Sequence, residues 1–496
     1  MTSKHSNTSG LTNLRLSAER GNLLSQFQLC QFYRQDTANS HSDIERVNQQ
    51  VRHLRDEAAN SHLTLDQLSL QSFRRYQSLQ IKFDHNLTII VGENGTGKTS
   101  IVESIAKLLS WIASRAIKSN NSGSHITESD IQTSACDYAE IAGKFELNNK
   151  TSFDISLSRP VKGWAGKISS ELQVTTLLGE MYRELAAINN EQELPVLAFY
   201  SVERSALSLA DKIDETRLLN QSRHRFDAYE DVFRDQSKSY YFIQQYIVLN
   251  NLAESGKASY HKHLQFVNKA IESAVPHISN LHIDRSDGST VIKLDSFGQR
   301  INFTQLSQGQ KTLASMVGDL ALRMVSLNHT MANPLYASGI VLIDEIDLHL
   351  HPSLQQKIIP NLQKTFENLQ WIITTHSPHV LSTVDKESIR IIQFNKETAA
   401  IRTPEFQTKG VISSSVLEQI MGTHAIPEVE ESEWIRKYQS LIQNKLWDSK
   451  EAEELFDRLQ THFGHHHPVI DELKGLRRLE ELKQRYKNKN EEANRA

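Results

Sequence analysis

The segment His85–Ser100 constrains the fold of this chain more than any other stretch. Its run Leu87–Val91 of apolar and β-branched residues predicts a buried strand, and the apolar periodicity after Lys98 predicts a helix. The intervening turn has the spacing of a phosphate-binding loop, in which glycines let successive N–H groups point at phosphate oxygens beside the positive end of the helix dipole. The sequence therefore predicts a nucleotide site formed by Gly92, Asn94, Gly95, Gly97, Lys98, Thr99 and Ser100.

Two side chains of this loop have predicted roles of their own. We expect Lys98 to reach the β- and γ-phosphates of ATP, and the hydroxyl of Thr99 to ligate Mg²⁺. The same pattern also occurs in tight turns that bind nothing. The strand before the turn and the helix after it favour the ATP site.

Length and composition set the class of protein. The 496 residues, 38% of them hydrophobic and 23% charged with a net charge of −4, indicate an ordinary globular chain with a sizeable core and about two to four domains. Cys30 and Cys136 are too few for a disulfide framework or a cysteine-rich zinc module. We find neither a long apolar run nor a signal peptide, and therefore expect a cytoplasmic protein with no membrane partner.

The N-terminal residues 1–62 are expected to form a helical extension. Its Ala18–Tyr33 part resembles half of a Sel1-type helical repeat, with Gly21 at the turn and Leu23, Phe27 and Cys30 on one helical face. A single hairpin cannot bury a solenoid core by itself, so it should dock on its neighbour. Two interpretations remain open, a helical cap and a partner-binding arm.

The next segment, Leu63–Phe83, alternates with period two and predicts two short strands around a turn that contains Phe73–Arg74. From this point the chain resembles the RecF/SMC/OLD-like ABC ATPases, which carry a Phe-Arg element near the nucleotide. The resemblance implies that Arg74 contacts the triphosphate, although a solvated turn arginine is the alternative. It also implies that Gln132 contacts Mg²⁺ and the attacking water.

The segment 214–280 interrupts the ATPase domain, which is expected to span residues 63–400. It lacks a sustained apolar heptad, so we predict a compact helical insertion and not a long coiled coil. Its aromatic residues suit either a helical core or stacking on nucleic-acid bases, and the core is favoured. These residues are Phe226, Tyr229, Phe233, Tyr240, Tyr241, Phe242 and Tyr246.

Three later motifs complete the resemblance. Leu306–Gln310 matches the ABC signature loop, which implies that Ser307 and Gly309 bind a γ-phosphate; Gln308 stands where the family usually has glycine. An apolar strand ends in Asp344, a metal ligand, and Glu345, the general base. A later strand ends in His376, which matches the switch histidine.

The order of these motifs predicts an α/β P-loop NTPase fold of the ABC (RecF/SMC-like) type, with a helical insertion and helical N- and C-terminal extensions. The resemblance covers roughly residues 63–395. It implies ATP and Mg²⁺ as cofactors, hydrolysis of ATP, and a dimer in which Ser307 of one subunit completes the site built on Lys98 of the other.

The segment 401–496 is expected to be helical and distinguishes among relatives. It contains no Asp-x-Asp element of a nuclease, and its layout is most like the PtuA-type ATPases of Septu and retron-associated anti-phage systems. That resemblance implies an HNH nuclease partner, together with a reverse transcriptase and its RNA–DNA product. The alternative is a RecF-like repair ATPase that contacts DNA directly; a transporter subunit fits poorly. The run His465–His467 suits a helix start better than a metal site.

Overall fold

The computed structural model describes residues 3–36, 41–58, 61–205, 224–233, 238–286, 288–395, 398–423 and 427–493. The chain divides into two compact units, Met1–Val416 and Leu417–Ala496. No helix within these described ranges is both long enough and apolar enough to cross a membrane.

The N-terminal segment forms three helices, α1 (Ser3–Glu19), α2 (Leu23–Asp36) and α3 (His41–Ala58). The predicted apolar face of α2 is buried, because Leu23, Phe27 and Cys30 are each at most 2% exposed. Burial raises the pKa of the Cys30 thiol to about 11, as expected for a core cysteine. The hairpin docks on the ATPase unit, where the N–H of Leu23 donates to Oγ1 of Thr151 at 2.9 Å.

An antiparallel sheet follows. Its order is β2-β1-β4-β5, with strands β1 (Thr64–Phe73), β2 (Tyr76–Lys82), β4 (Tyr138–Asn148) and β5 (Thr151–Pro160). The first two strands are the hairpin predicted from the alternating pattern, and they turn at Arg74, whose φ is +49°. The strand β5 is an addition that the sequence pattern did not predict.

The central sheet is formed by β3 (Leu87–Val91), β6 (Val196–Tyr200), β10 (Gly339–Ile343), β11 (Leu369–Thr374), β12 (Ile389–Asn395) and β13 (Thr398–Arg402). Its strands lie in the order β13-β12-β3-β11-β10-β6. Every residue of β3, β6, β10 and β11 is buried, which matches the continuous apolar runs read from the sequence and is typical of parallel strands covered on both faces. Only β13 pairs antiparallel.

Helix α4 (Lys98–Ile117) contacts strands of both sheets, and α5 (Gln173–Ile188) packs beside it. The apolar face of α4 that the sequence predicts is fully buried, with Ile101, Ile105 and Leu108 at 0% exposure. This burial fixes the start of α4, and with it the phosphate-binding loop, against the sheet.

The second half of this unit carries α6 (Lys238–Glu254), α7 (Ala258–Ala274) and α8 (Gln308–Leu327), with α6 and α7 packed on α8. The start of the predicted insertion lies outside the described residues, as do the side chains of Tyr240 and Tyr241. The aromatic residues Phe226, Tyr229, Phe242 and Tyr246 are buried. An antiparallel meander that the sequence did not predict follows α7, formed by β7 (Ile278–Asp284), β8 (Val291–Ser296) and β9 (Gln299–Asn302).

Two further helices flank the end of the central sheet, α9 (Pro352–Thr365) and α10 (Pro378–Leu381). Helix α11 (Ser413–Met421) then spans the boundary between the units. The second unit is helical, as the sequence predicts, with α12 (Glu430–Gln443), α13 (Lys450–Phe463) and α14 (Pro468–Ala493). Its core consists of Tyr438, Ile442, Trp447, Ala452, Leu459, Ile470 and Leu473.

Candidate nucleotide site

The phosphate-binding loop lies between β3 and α4. Gly95 and Gly97 have φ of +77° and +88°, a conformation that favours glycine. A Cβ on Gly97 would also lie 2.9 Å from the hydroxyl of Tyr76. That hydroxyl donates to the carbonyl of Thr96 at 2.7 Å, so the first residue of β2 braces the loop from outside.

Lys98 is the buried cation of this loop. Its Nζ donates to the carbonyls of Gly92 at 2.9 Å and Glu93 at 3.0 Å. Burial lowers the pKa of Lys98, whereas the charges of Glu345, Asp344 and Asp347 raise it. The carboxylates predicted from a motif about 250 residues away therefore lie within electrostatic reach of the loop lysine.

The two predicted carboxylates follow the end of β10. Asp344 is 1% exposed and accepts a hydrogen bond from the hydroxyl of Thr374, at the end of β11, at 2.5 Å. The N–H of Glu345 donates to the same hydroxyl at 2.7 Å. Glu345 has φ of +48°, so its backbone turns sharply away from the strand. One threonine hydroxyl thus holds the carboxylate of Asp344 and the backbone of Glu345.

His376 completes this edge of the sheet. Oδ1 of Asp347 accepts from the hydroxyl of Thr375 at 2.5 Å and from the N–H of His376 at 3.2 Å. Burial and the charge of Lys98 lower the pKa of His376, and Asp347, Glu345 and Asp344 oppose that change. The imidazole is therefore neutral near pH 7 and can donate or accept a hydrogen bond.

The signature loop caps helix α8. Ser307 is its N-cap; its hydroxyl donates to Oε1 of Gln310 at 3.0 Å and accepts from the N–H of Gln310 at 3.4 Å. A Cβ on Gly309 would lie 2.5 Å from the carbonyl of His349, so this position requires glycine. Gln308, where the family usually has glycine, is exposed. Ser307 is exposed at the positive end of α8.

The structure separates the two arginines of the β1–β2 turn. Arg74 forms ion pairs with Glu103 of α4 and with Asp130, the latter at 2.9 Å. Its neighbour Arg75 donates to the carbonyl of Gly95 in the phosphate-binding loop, and its guanidinium lies 4.2 Å from the ring centre of Phe394. The sequence motif singled out Arg74, whose contact with the triphosphate stays a prediction; in this structure Arg75 contacts the loop.

Asp130 anchors this region. Burial opposes its ionisation, but hydrogen bonds from Thr127, Lys107 and Arg74 outweigh burial and lower the pKa of Asp130 to about 2. Two residues further on, Gln132 donates its side-chain amide to the carbonyl of Arg75 at 3.4 Å and its N–H to the carbonyl of Ser72 at 2.9 Å. Gln132 thus lies beside the arginine that contacts the loop.

The chemistry of the donors fits Mg²⁺. Thr99 and the buried Asp344 offer hard oxygen ligands, and Mg²⁺ in nucleotide sites typically takes one or two such protein ligands besides phosphates and water. Within the described part of the chain, no group of three or more His, Cys, Asp or Glu residues could hold a metal. His465–His467 are exposed at the turn before α14.

Sequence reasoning assigned no role to Thr374, Tyr76 or Arg75. A local signal existed for Thr374, because a hydroxyl that ends an apolar strand requires a partner. Tyr76 and Arg75 had none, because their contacts depend on how the first hairpin packs on the loop.

Comparisons with known proteins agree with this geometry. Residues 64–400, about two thirds of the chain, match the family described as RecF/RecN/SMC N terminal domain. A retron Vc95 probable ATPase of Vibrio cholerae is 30% identical over 503 residues, covering 90% of this chain and 96% of that protein. A retron Ec83 probable ATPase of Escherichia coli is 27% identical, covering 94% and 96%. A Septu protein PtuA of Bacillus mycoides is 23% identical, covering 79% of this chain and 49% of its own length.

The two turn arginines provide a matched pair of variants. Arg75→Ala should weaken ATP binding about tenfold, because a charged hydrogen-bond donor is lost beside the phosphates. Arg74→Ala should instead lower the free energy of unfolding by about 1–2 kcal/mol, because buried Asp130 loses a partner. Equilibrium nucleotide binding and urea unfolding of both variants measure this. Equal loss of ATP affinity in Arg74→Ala, with unchanged stability, would restore Arg74 as the phosphate contact.

Proposed function

The chain belongs to the RecF/RecN/SMC N-terminal domain family, and we propose that it binds and hydrolyses ATP as the regulatory subunit of a cytoplasmic anti-phage defence complex. The observation that supports the ATPase proposal is the convergence of Lys98, Asp344, Glu345 and His376 at the carboxyl ends of three paired strands. The hydroxyl of Thr374 bonds to Asp344 and to the N–H of Glu345, and Asp347 accepts from the N–H of His376. The whole-length similarity to retron probable ATPases supports the defence role.

Each residue of the site has a distinct task in the proposed reaction. The loop amides and Lys98 bind the phosphates, and Thr99, Asp344 and Gln132 would hold Mg²⁺, which would supply positive charge to the phosphates when bound. Glu345 accepts a proton from the attacking water, and Thr374 fixes its backbone. Neutral His376 hydrogen-bonds the γ-phosphate. Arg75, which contacts the loop, contributes positive charge beside the phosphates. The motif in the sequence predicts the same role for Arg74.

The site is proposed to be completed by a second copy of the chain. Ser307 and Gly309 lie at the start of helix α8, where the exposed hydroxyl-bearing Ser307 and the positive end of the helix dipole suit a γ-phosphate. In the ATP-sandwich arrangement, these groups face the nucleotide held by Lys98 of the partner. Bound ATP then joins the two subunits, and its hydrolysis allows them to separate.

The proposed partner is an HNH nuclease, acting with a reverse transcriptase and its RNA–DNA product. Two observations favour this over a RecF-like repair ATPase that binds DNA directly. The retron relatives align over 90% and 94% of the chain, beyond the segment that matches the family as a whole. In addition, helix α14 carries an exposed apolar stripe suited to another protein, formed by Leu476, Leu479, Leu482 and Tyr486.

Glu345→Gln tests the assignment of the general base. This variant should bind ATP normally but turn over about 10²–10⁴-fold more slowly, because the amide cannot accept the proton. Lys98→Ala should lose nucleotide binding itself. Phosphate release and equilibrium binding separate the two effects, with Glu367→Gln, an exposed carboxylate before β11, as the matched control. Parental turnover in Glu345→Gln would contradict the base assignment.

Mixed dimers test the sandwich. Inactive Lys98→Ala subunits combined with inactive Ser307→Arg subunits should regain ATPase activity, because one site of each mixed dimer then has both faces intact. Lys98→Ala combined with Glu345→Gln is the control, since every site in that mixture keeps one defect. If native mass spectrometry shows mixed dimers and neither mixture hydrolyses ATP, the composite site is wrong.

Co-purification tests the division of labour. The chain alone should not cut nucleic acid, and co-purification with the products of the neighbouring genes should recover the proposed HNH nuclease. Leu479→Ser with Leu482→Ser should abolish that association while leaving ATPase activity unchanged; Leu446→Ser, at a similarly exposed leucine, is the control. If the double variant retains the nuclease but a folded chain truncated before Thr64 does not, the docking surface lies on the N-terminal hairpin and not on α14. Metal-dependent cleavage by the chain alone that survives Lys98→Ala would overturn the division itself.

A further inference from the structure

A buried polar network lies within the ATPase unit, outside the nucleotide site. It consists of Tyr200, Asp319 and Arg323, of which none is more than 3% exposed. The Tyr200 hydroxyl donates to Oδ2 of Asp319 at 2.8 Å, and Nε of Arg323 donates to the same oxygen at 3.0 Å. Burial, followed by the charge of Asp319, raises the pKa of Tyr200 well above its ordinary value, so the phenol stays protonated and donates.

Tyr200 contacts the catalytic strand at its other end. It is the last residue of β6 and pairs with Ile343, the last residue of β10. Its carbonyl accepts the N–H of Asp344 at 2.9 Å. A single residue therefore holds the backbone of the predicted metal ligand through its main chain and Asp319 through its side chain.

Asp319 and Arg323 belong to α8, the helix capped by Ser307. Asp319 follows Ser307 by twelve residues, about 18 Å along a rigid helix. Arg323 also donates to the carbonyl of Ala228 at 2.6 Å, which joins α8 to the 3-10 helix Arg225–Tyr229. Buried ion pairs give little net stability compared with apolar side chains of similar volume, so stability alone does not account for this network.

We propose that Tyr200, Asp319 and Arg323 are positioning residues that couple the two ATP sites of a dimer. Nucleotide bound by the partner engages Ser307, α8 transmits the displacement to Asp319, and Tyr200 transfers it to the backbone of Asp344. Each subunit's hydrolytic carboxylates would then respond to the nucleotide that its own signature helix contacts. This inference rests on the proposed sandwich and adds a physical link within the subunit.

The test compares the steady-state ATPase cooperativity of three full-length proteins. Wild type should show a Hill coefficient approaching about 2, and Tyr200→Phe should show about 1, with half-saturating ATP within about threefold. Tyr229→Phe is the matched control, because it removes a buried hydroxyl that donates to the carbonyl of Pro195 and not to Asp319, and it should keep wild-type cooperativity. Should Tyr200→Phe fail to fold, a triple variant with Asp319→Leu and Arg323→Met replaces the whole network by apolar residues.

The outcomes separate this inference from the function on which it rests. Absence of ATP hydrolysis or of an ATP-dependent dimer in wild type would contradict the proposed function. A hydrolysing wild-type dimer with a Hill coefficient of 1 would overturn only the coupling. Cooperativity that survives in Tyr200→Phe, or that is lost equally in Tyr229→Phe, would also overturn it.

Discussion

The register of β11 between β3 and β10 determines where the residues of the candidate site that follow these strands lie. Ile373 of β11 pairs with Ile89 on one side and with Ile343 on the other. The three strands therefore end at one level, and the residues that leave them meet there. A slip of one residue would turn Thr374 to the opposite face and separate it from Asp344. The completely buried apolar runs of these strands resist such a slip, because both faces are packed.

The charges gathered by this register compensate one another. Burying Lys98 alone would favour its neutral form, and burying Asp344 alone would be costly. Placed near the lysine, the carboxylates Glu345, Asp344 and Asp347 oppose the effect of burial on Lys98 and favour its charged form. Hydrogen bonds supply the remaining compensation: carbonyls of the loop accept from Lys98, and Thr374 donates to Asp344. Uncharged groups, the loop carbonyls and the hydroxyl of Thr374, thus hold the charged side chains of the site in place.

Much of this arrangement is local in the sequence and could be predicted from it. The phosphate-binding loop, the carboxylates after β10 and the strand before His376 each combine a buried strand with polar residues at its carboxyl end. The meander Ile278–Asn302 was not predicted, because its short strands alternate weakly and contain polar residues on both faces. The distinction between Arg74 and Arg75 was also inaccessible. It depends on Asp130, which lies more than fifty residues further along the chain. The buried carboxylate of Asp130 pairs with Arg74, whereas Arg75 contacts the loop.

Helix α8 illustrates how one element serves two environments. Its N-terminal residues Ser307 and Gln308 are exposed, whereas its middle is buried and carries a charged pair. Gly309 holds the first turn against the carbonyl of His349, two residues after Asp347, so the exposed end is also tied to the loop that follows the catalytic carboxylates. The middle of α8 is linked to the same segment, because Asp319 accepts from the hydroxyl of Tyr200, whose carbonyl accepts the N–H of Asp344. A rigid helix displaced at Ser307 would therefore act on that segment at two points, which is the physical basis of the proposed coupling.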